Sequence, residues 1–299
     1  MSTAAAAPLT LRAFVDRCIA QLAALYPEPE AKAVAFRLLE HHSKIPSYKY
    51  ISDPGRIFPE AEAASLCAAL DELATGRPLQ YVLGFTEFFG HRFKVGEGCL
   101  IPRPETEELV SRIVDDLYED DDDLAGLVDA GDTDDGLFNI LDLCTGSGCI
   151  AWSLAAEFPE AMVYACDLSD AALRYACRQR IKVGGAKPVF FSADLLADPP
   201  GGLPKFDVIV SNPPYICESE RAAMRPNVVG FEPAEALFVP DDDPMRFYRA
   251  IARWTEALLR PSGHIYLEIN ERFGPEVAAL FPGSRVAADI SGRDRFVIR

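Results

Sequence analysis

The stretch Asn139-Ile140-Leu141-Asp142-Leu143-Cys144-Thr145-Gly146-Ser147-Gly148 decides the fold of this chain. Its first half is an apolar run of strand length. Two glycines then break the run, and an apolar segment over 149–158 follows that suits a helix. Glycine permits a tight turn there and lets a ligand approach backbone N–H groups where the helix starts. A strand, a glycine turn and a helix in succession form the opening unit of a parallel α/β sheet.

The same alternation continues downstream. Strands are expected over 162–166, 188–191, 207–210 and 264–269, with helices over 170–182, 245–259 and 275–281. The segments 285–290 and 295–298 flank Ser291-Gly292-Arg293 and should close the sheet as an antiparallel hairpin. Strands separated by helices imply a parallel sheet covered on both faces.

Upstream the pattern differs. Leu11, Phe14, Val15, Cys18, Leu22 and Leu25 share one face at helical spacing. Pro29 can open a second helix bearing Val34, Leu38 and Leu39. Pro59 can open a third, with Leu66, Leu70 and Leu73 on one side and Gly76 as its stop. Residues 79–101, rich in aromatics and glycines, read as a β-hairpin or extended connector. After Ile101-Pro102-Arg103-Pro104, the acids Glu105, Glu107 and Glu108 crowd the first turn of another helix, where its dipole favours them.

The chain has 299 residues, a globular composition and a net charge of −17. That charge is partly local. Eleven acidic residues lie between Asp115 and Asp135, and no Lys or Arg occurs from Ile113 to Leu173. The stretch reads as a solvated acidic insertion over about 115–137, or as a docking surface for a basic partner. A chain with this balance lacks the basic footprint expected of a protein that grips DNA. No apolar run is long enough to span a membrane, and the start resembles no secretion signal. The eight cysteines are scattered with no C-x-x-C pair, and they read as free thiols in a reducing cytoplasm. Four histidines, none beside an acidic cluster, give metal chemistry little support.

The candidate site lies at the carboxyl ends of the strands, where open α/β sheets bind ligands. Cys144, Thr145, Gly146, Ser147 and Gly148 form the turn. Asp167 ends the second strand, where a carboxylate can accept both hydroxyls of a ribose. Asp194 and Leu195 follow the third strand, where they can border an adenine. Gly146-x-Gly148-x-x-Ala151 also satisfies a dinucleotide fingerprint, so the turn alone does not separate a nicotinamide cofactor from other nucleosides.

Asn212-Pro213-Pro214-Tyr215 closes the fourth strand. Two prolines cannot continue it, because they lack the N–H and fix φ. The loop can therefore grip a planar NH2 group. The Asn212 side-chain oxygen accepts one N–H, a backbone carbonyl accepts the other, and Tyr215 covers the flat face. A dehydrogenase has no evident use for such a clamp, whereas a methyl donor beside it makes a coherent site.

With these blocks in view, the chain from about residue 76 to 299 resembles the bacterial release factor glutamine methyltransferases, the HemK/PrmC type. The resemblance is carried by Pro78-Leu79-Gln80-Tyr81, by Ile101 to Glu107, by Asp142 to Gly148, by Asp207 to Ile216, by Glu232-Pro233 with Ala236-Leu237, and by Gly292 with Asp294-Arg295. Asn-Pro-Pro-Tyr alone is shared with DNA adenine methyltransferases. The resemblance implies a seven-stranded, Rossmann-like class I methyltransferase sheet over 104–299. A β-hairpin connector over 78–103 would join it to a helical substrate-recognition domain over 1–77. It implies S-adenosyl-L-methionine as cofactor, held by the 144–148 turn, Asp167, Asp194, Leu195 and Asn212. Its substrate would be the glutamine of a Gly-Gly-Gln loop in class I peptide chain release factors, bound by Asn212, Pro213, Pro214 and Tyr215. The catalytic pair would be Asn212 and the Pro213 carbonyl. A cytoplasmic monomer is expected, with no DNA or membrane partner.

The chain departs from the pattern of that family: Cys144 and Asn270 each stand where a glycine is usual, the Gln that commonly comes soon after Asn270 is missing, and the acidic stretch is an insertion. Arg103, Thr106 and Glu232 read less sharply. Thr106 at a helix start suits a cap, and Arg103 and Glu232 suit either a salt bridge or a role in holding loops. The rival readings are a methyltransferase acting on DNA adenine or another amino group, and a non-catalytic binding module.

Overall fold

The computed structural model describes residues 8–119 and 137–299. It divides into two compact units, one formed by the chain up to Gly84 with Pro226–Phe231, the other by Phe85–Arg225 and Glu232–Arg299.

The first unit is helical. Helices α1 (Leu11–Leu22), α2 (Glu28–Ser43) and α4 (Glu60–Ala74) pack together, with the short α3 (Lys49–Ser52) between the last two. Thr10 caps α1 by accepting a hydrogen bond from the Ala13 N–H. The apolar stripe read from the sequence is the core: Leu11, Phe14, Cys18, Leu38, Leu66 and Leu70 are all fully buried. Leu25 is the exception. The first helix ends at Leu22, so Leu25 leaves the stripe and is partly exposed.

The expected hairpin over 79–101 begins later than anticipated. Residues Leu79–Leu83 form a helical turn, α5, because Pro78 precedes it with the φ a helix start requires, and Gly84 ends it in the left-handed region. The hairpin proper is β1 (Phe85–Phe88) paired with β2 (His91–Lys94).

The second unit is built on a seven-stranded sheet. Helix α6 (Pro104–Glu119) precedes β3 (Phe138–Leu143), α7 (Cys149–Glu157), β4 (Ala161–Asp167), α8 (Asp170–Ala176), β5 (Val189–Ser192) and β6 (Phe206–Ser211). The two-residue strands β7 (Ile216–Cys217) and β8 (Phe238–Val239) pair apart from the main sheet. Then come α9 (Arg246–Leu258), β9 (Leu259–Glu268), α10 (Gly274–Ala279), β10 (Arg285–Ala288) and β11 (Asp294–Ile298). The order across the sheet is β10-β11-β9-β6-β3-β4-β5, and only β11 runs against its neighbours.

The buried residues of the central strands alternate between the two faces of the sheet. Ile140, Val208 and Val210 pack with α7 on one face, while Leu141, Leu143 and Ile209 pack with Ile251 and Trp254 of α9 on the other.

Two expectations need correction. Helix 170–182 stops at Ala176, because the Gln179 side chain is drawn away to bond the Lys94 backbone and the Ser147 carbonyl. Strand 264–269 begins at Leu259: Leu259 pairs with Phe206 and His264 with Val208, so the intervening residues bulge from the ladder. Of the acidic stretch expected over about 115–137, Asp115 and Asp116 lie within α6, and residues 120–136 fall outside the described residues.

Gly148 shows how tightly the turn is packed. It sits at φ +79°, and an added Cβ would lie 3.0 Å from the Ala176 Cβ and 3.1 Å from Trp152 Cδ1. Gly148→Ala is expected to lower stability by about 2 kcal/mol through left-handed strain and crowding, measurable as a reduced urea midpoint with an unchanged slope.

Candidate active site

The sheet places the site by register. Leu143, the last residue of β3, pairs with Ser211, the last of β6, and the Ser211 hydroxyl donates to the Leu143 carbonyl at 2.7 Å. The chain therefore leaves both strands side by side at the same edge of the sheet, from β3 as the glycine turn and from β6 as Asn212-Pro213-Pro214-Tyr215. This is the point where the strand order reverses, β4 lying to one side of β3 and β6 to the other.

The turn is held by two carboxylates. Asp142 accepts from the Thr145 hydroxyl at 2.5 Å and from the Ala151 N–H at 3.2 Å. Asp167 accepts from the Gly146 N–H and the Ser169 N–H, both at 2.8 Å, one on each oxygen. Each Asp167 oxygen keeps acceptor capacity beyond that bond. Burial raises the Asp167 carboxyl above its ordinary value, against the opposing effect of its backbone hydrogen bonds. Cys144, Gly146 and Gly148 all have positive φ. Cys144 occupies a glycine-type conformation at φ +60°, so the departure from the family pattern carries local strain but leaves the turn intact. Its thiol is pushed well up by burial.

A cavity of about 290 Å³ opens at this edge. Of the residues singled out from sequence, Cys144, Gly146, Asp167, Asp194, Leu195, Asn212 and Pro214 line it. Thr145 and Ser147 line instead a smaller cleft of about 30 Å³, shared with Cys144, Gly146, Asn212 and Thr106. Gly148 lines neither, and packs under the turn. Pro213 and Tyr215 also line neither. Leu168, Ser169, Pro233, Glu235 and Phe247 border the larger cavity without having been picked out as ligand-facing residues. Position beside Asp167 was a usable signal for the first two, and the Glu232-Pro233 block for the next two. Phe247 had none. An apolar slot with a few carboxylate and amide groups suits a flat heteroaromatic ring joined to a sugar.

The clamp loop is anchored from below. Asn212 Nδ2 donates to Thr106 Oγ1 at 2.8 Å, and the Thr106 hydroxyl donates to Glu268 Oε2 at 2.6 Å. The Tyr215 hydroxyl donates to Glu268 Oε1 at 2.8 Å. Burial raises the Glu268 carboxyl, and its bonds from Thr106 and Tyr215 oppose that rise. Asn270 supports the same loop, its amide donating to the Tyr215 carbonyl at 3.1 Å and to Glu220 at 3.0 Å. The second departure from the family pattern is thus a built contact.

Thr106 is not the helix cap expected from sequence, because its hydroxyl is spent on Glu268. Arg103 forms an ion pair with the buried Glu232 at 2.6 Å, and the Ile101 N–H donates to the same carboxylate. Among the described residues no cluster of His, Cys, Asp and Glu could hold a metal ion, and no helix is long and apolar enough to cross a membrane. All eight cysteines are free thiols.

Asp142 gives the site a pH signature. Burial pushes its carboxyl up to about 7, against hydrogen bonds from Thr145 and Ala151. The folded protein then holds this proton more tightly than the unfolded chain does. Folding is favoured most below the ordinary value of 3.8, and that advantage is lost as pH rises from there towards 7. Urea unfolding at about pH 5 and about pH 8 should show a smaller loss of stability in Asp142→Asn than in the wild type. An equal loss in both proteins would assign the dependence to other groups.

Comparison with known proteins accords with this geometry. Residues 128–228 match the family model described as methyltransferase small domain, and residues 14–84 match that described as PrmC N-terminal domain. The chain is 37% identical to the release factor glutamine methyltransferase of Bacteroides thetaiotaomicron, over 91% of this chain and 94% of that one. It is 34% identical to that of Flavobacterium psychrophilum over 97% and 98% of the two chains, and 39% identical to that of Cereibacter sphaeroides over 90% of each.

Proposed function

The chain belongs to the release factor glutamine methyltransferase family, and on that premise we propose that it methylates the side-chain nitrogen of the glutamine in the Gly-Gly-Gln loop of class I peptide chain release factors, with S-adenosylmethionine as methyl donor. The observation that carries the reading is the meeting of Asn212 with Gly146 and Asp167 around one cavity.

The residues present fit the donor by their chemistry. Asp167 has acceptor capacity left on both oxygens for a ribose diol. Leu195 and Leu168 offer apolar surface to an adenine, with Asp194 beside them. The turn from Cys144 to Gly148 would border the rest of the molecule. When bound, S-adenosylmethionine supplies an electrophilic methyl group and departs as the neutral thioether.

The chain's own residues supply positioning. An amide nitrogen is a weak nucleophile because its lone pair is delocalised. The Asn212 side-chain oxygen and the Pro213 carbonyl each accept one N–H of the substrate glutamine and hold the nitrogen facing the donor. As that nitrogen gains positive character, both hydrogen bonds become charge-assisted and strengthen. The surplus proton leaves to solvent once the new N–C bond has formed, so no strong base is required. Pro214 stiffens the loop. Tyr215 anchors the loop through Glu268, and its ring would cover the flat face of the substrate amide.

The helical first unit is assigned to recognition of the release factor. One chain carries every residue named here, so the enzyme is proposed to act as a monomer, in the cytoplasm where translation terminates.

Mass spectrometry of a class I release factor, incubated with enzyme and S-adenosylmethionine, should find one added methyl group on the Gly-Gly-Gln glutamine. Methylation elsewhere, or none, would overturn the assignment. Asn212→Ala should lower turnover by about 10²–10³, and near-normal turnover would remove the clamp mechanism. Asp167→Ala should weaken S-adenosylmethionine binding about 10–100-fold by calorimetry, while unchanged affinity would take the ribose away from Asp167.

A further inference from the structure

An asparagine side chain has two ends of nearly the same shape and opposite polarity. Only the oxygen end is useful to a clamp that must accept an N–H. The position of Asn212 at the end of β6 does not by itself decide which end faces the cavity. We propose that Thr106 is a positioning residue which, with its proton direction set by Glu268, holds the Asn212 amide with its oxygen towards the substrate. The inference rests on the reading that Asn212 grips the substrate amide, and it adds how that grip is oriented.

Glu268 stands at the end of β9 with its side chain buried, 1% exposed. Its two oxygens receive two hydroxyls, Thr106 on one and Tyr215 on the other. Each hydroxyl has a single proton, and each donates it to Glu268. Burial keeps the Tyr215 hydroxyl protonated, as its donor role requires.

Thr106, 2% exposed, has then spent its proton. Only lone pairs remain on Oγ1 for its other neighbour, Asn212, at 2.8 Å. An NH2 satisfies them. A reversed amide would set two acceptors against each other in a buried place. The preference runs from Glu268 through α6 to the clamp loop, and it leaves Asn212 Oδ1 as the end not held by Thr106. Reversal would present NH2 to the NH2 of the substrate, turning an attraction into a repulsion at the reacting nitrogen.

Thr106 borders the small cleft beside the larger cavity, so a role in contacting the donor must be separated from a role in orienting Asn212. The test uses the full-length enzyme, S-adenosylmethionine and a class I release factor. Thr106→Val keeps the shape and removes the hydroxyl, and it should lower kcat about tenfold or more. KM for the release factor and the calorimetric Kd for S-adenosylmethionine should stay close to wild type. Thr106→Ser should restore kcat. Glu268→Gln, which can offer an NH2 to Thr106 and reverse the relay, should also lower kcat more than it weakens donor binding.

A wild-type kcat in Thr106→Val would overturn the proposal. So would a loss that appears wholly in donor affinity, or a Thr106→Ser variant as impaired as Thr106→Val. A readout independent of methylation keeps the relay testable should the wild-type enzyme not act on release factors. The side-chain NH2 protons of Asn212, assigned by their loss in Asn212→Ala, should exchange slowly with solvent in wild type and Thr106→Ser and quickly in Thr106→Val. Equal exchange in all three would also overturn it.

Discussion

The pairing of Leu143 with Ser211 is the constraint on which the site depends. Strands β3 and β6 are neighbours in space and separated by 68 residues in sequence, locked by the Ser211 hydroxyl on the Leu143 carbonyl. In a parallel ladder a slip of one residue exchanges the faces of every side chain. Here it would expose Ile209 or Leu141 on the wrong side, and both are fully buried. The apolar cores on the two faces therefore fix the register, and the register brings the glycine turn and the Asn-Pro-Pro loop to one edge. Chemistry at the edge is positioned by packing several residues away from it.

Two buried carboxylates then do different work at that edge. Asp142 lies beneath the glycine turn and is stabilised by one hydroxyl and one N–H, while its second oxygen, Oδ1, has no hydrogen-bond partner. Burial without full hydrogen bonding is why its proton is held towards neutrality. Glu268 is equally buried, yet each of its oxygens meets a hydroxyl. The hydroxyl donors offset part of the desolvation cost. A buried acid satisfied on both oxygens by groups of fixed direction imposes polarity on everything bonded beyond it.

The parts of this arrangement differ in how far the sequence discloses them. The sheet and most of its helices follow from local patterns: apolar runs in β3 and β6, glycines at 146 and 148, prolines at 213 and 214. Asp167 was visible because it ends a strand at the edge already marked by the turn. Contacts across long separations were not visible. Thr106 and Glu268 lie 162 residues apart. A threonine two residues into a helix that begins with Pro104 reads as a local cap, the commoner use of that residue. The bond from the Tyr215 hydroxyl to Glu268 is equally out of reach of local pattern, since the two residues lie 53 apart. The early end of α8 has the same origin, since Gln179 is claimed by Lys94 and Ser147, neither of which the local pattern indicates.

Cys144 and Asn270 show how a tertiary framework carries local irregularity. Cys144 adopts a backbone conformation that favours glycine, at a cost of about 1–2 kcal/mol. The turn keeps its shape because both carboxylates and the Thr145 N–H bond to Cys166 hold it from several sides. Asn270 adds bonds that a glycine could not make, capping the turn at Glu271–Phe273 and holding the Tyr215 carbonyl. One substitution adds strain to the donor side of the edge and the other adds rigidity to the clamp side. Neither disrupts the Leu143–Ser211 pairing, so the relative placement of the glycine turn and the Asn-Pro-Pro loop is set by the sheet that carries them.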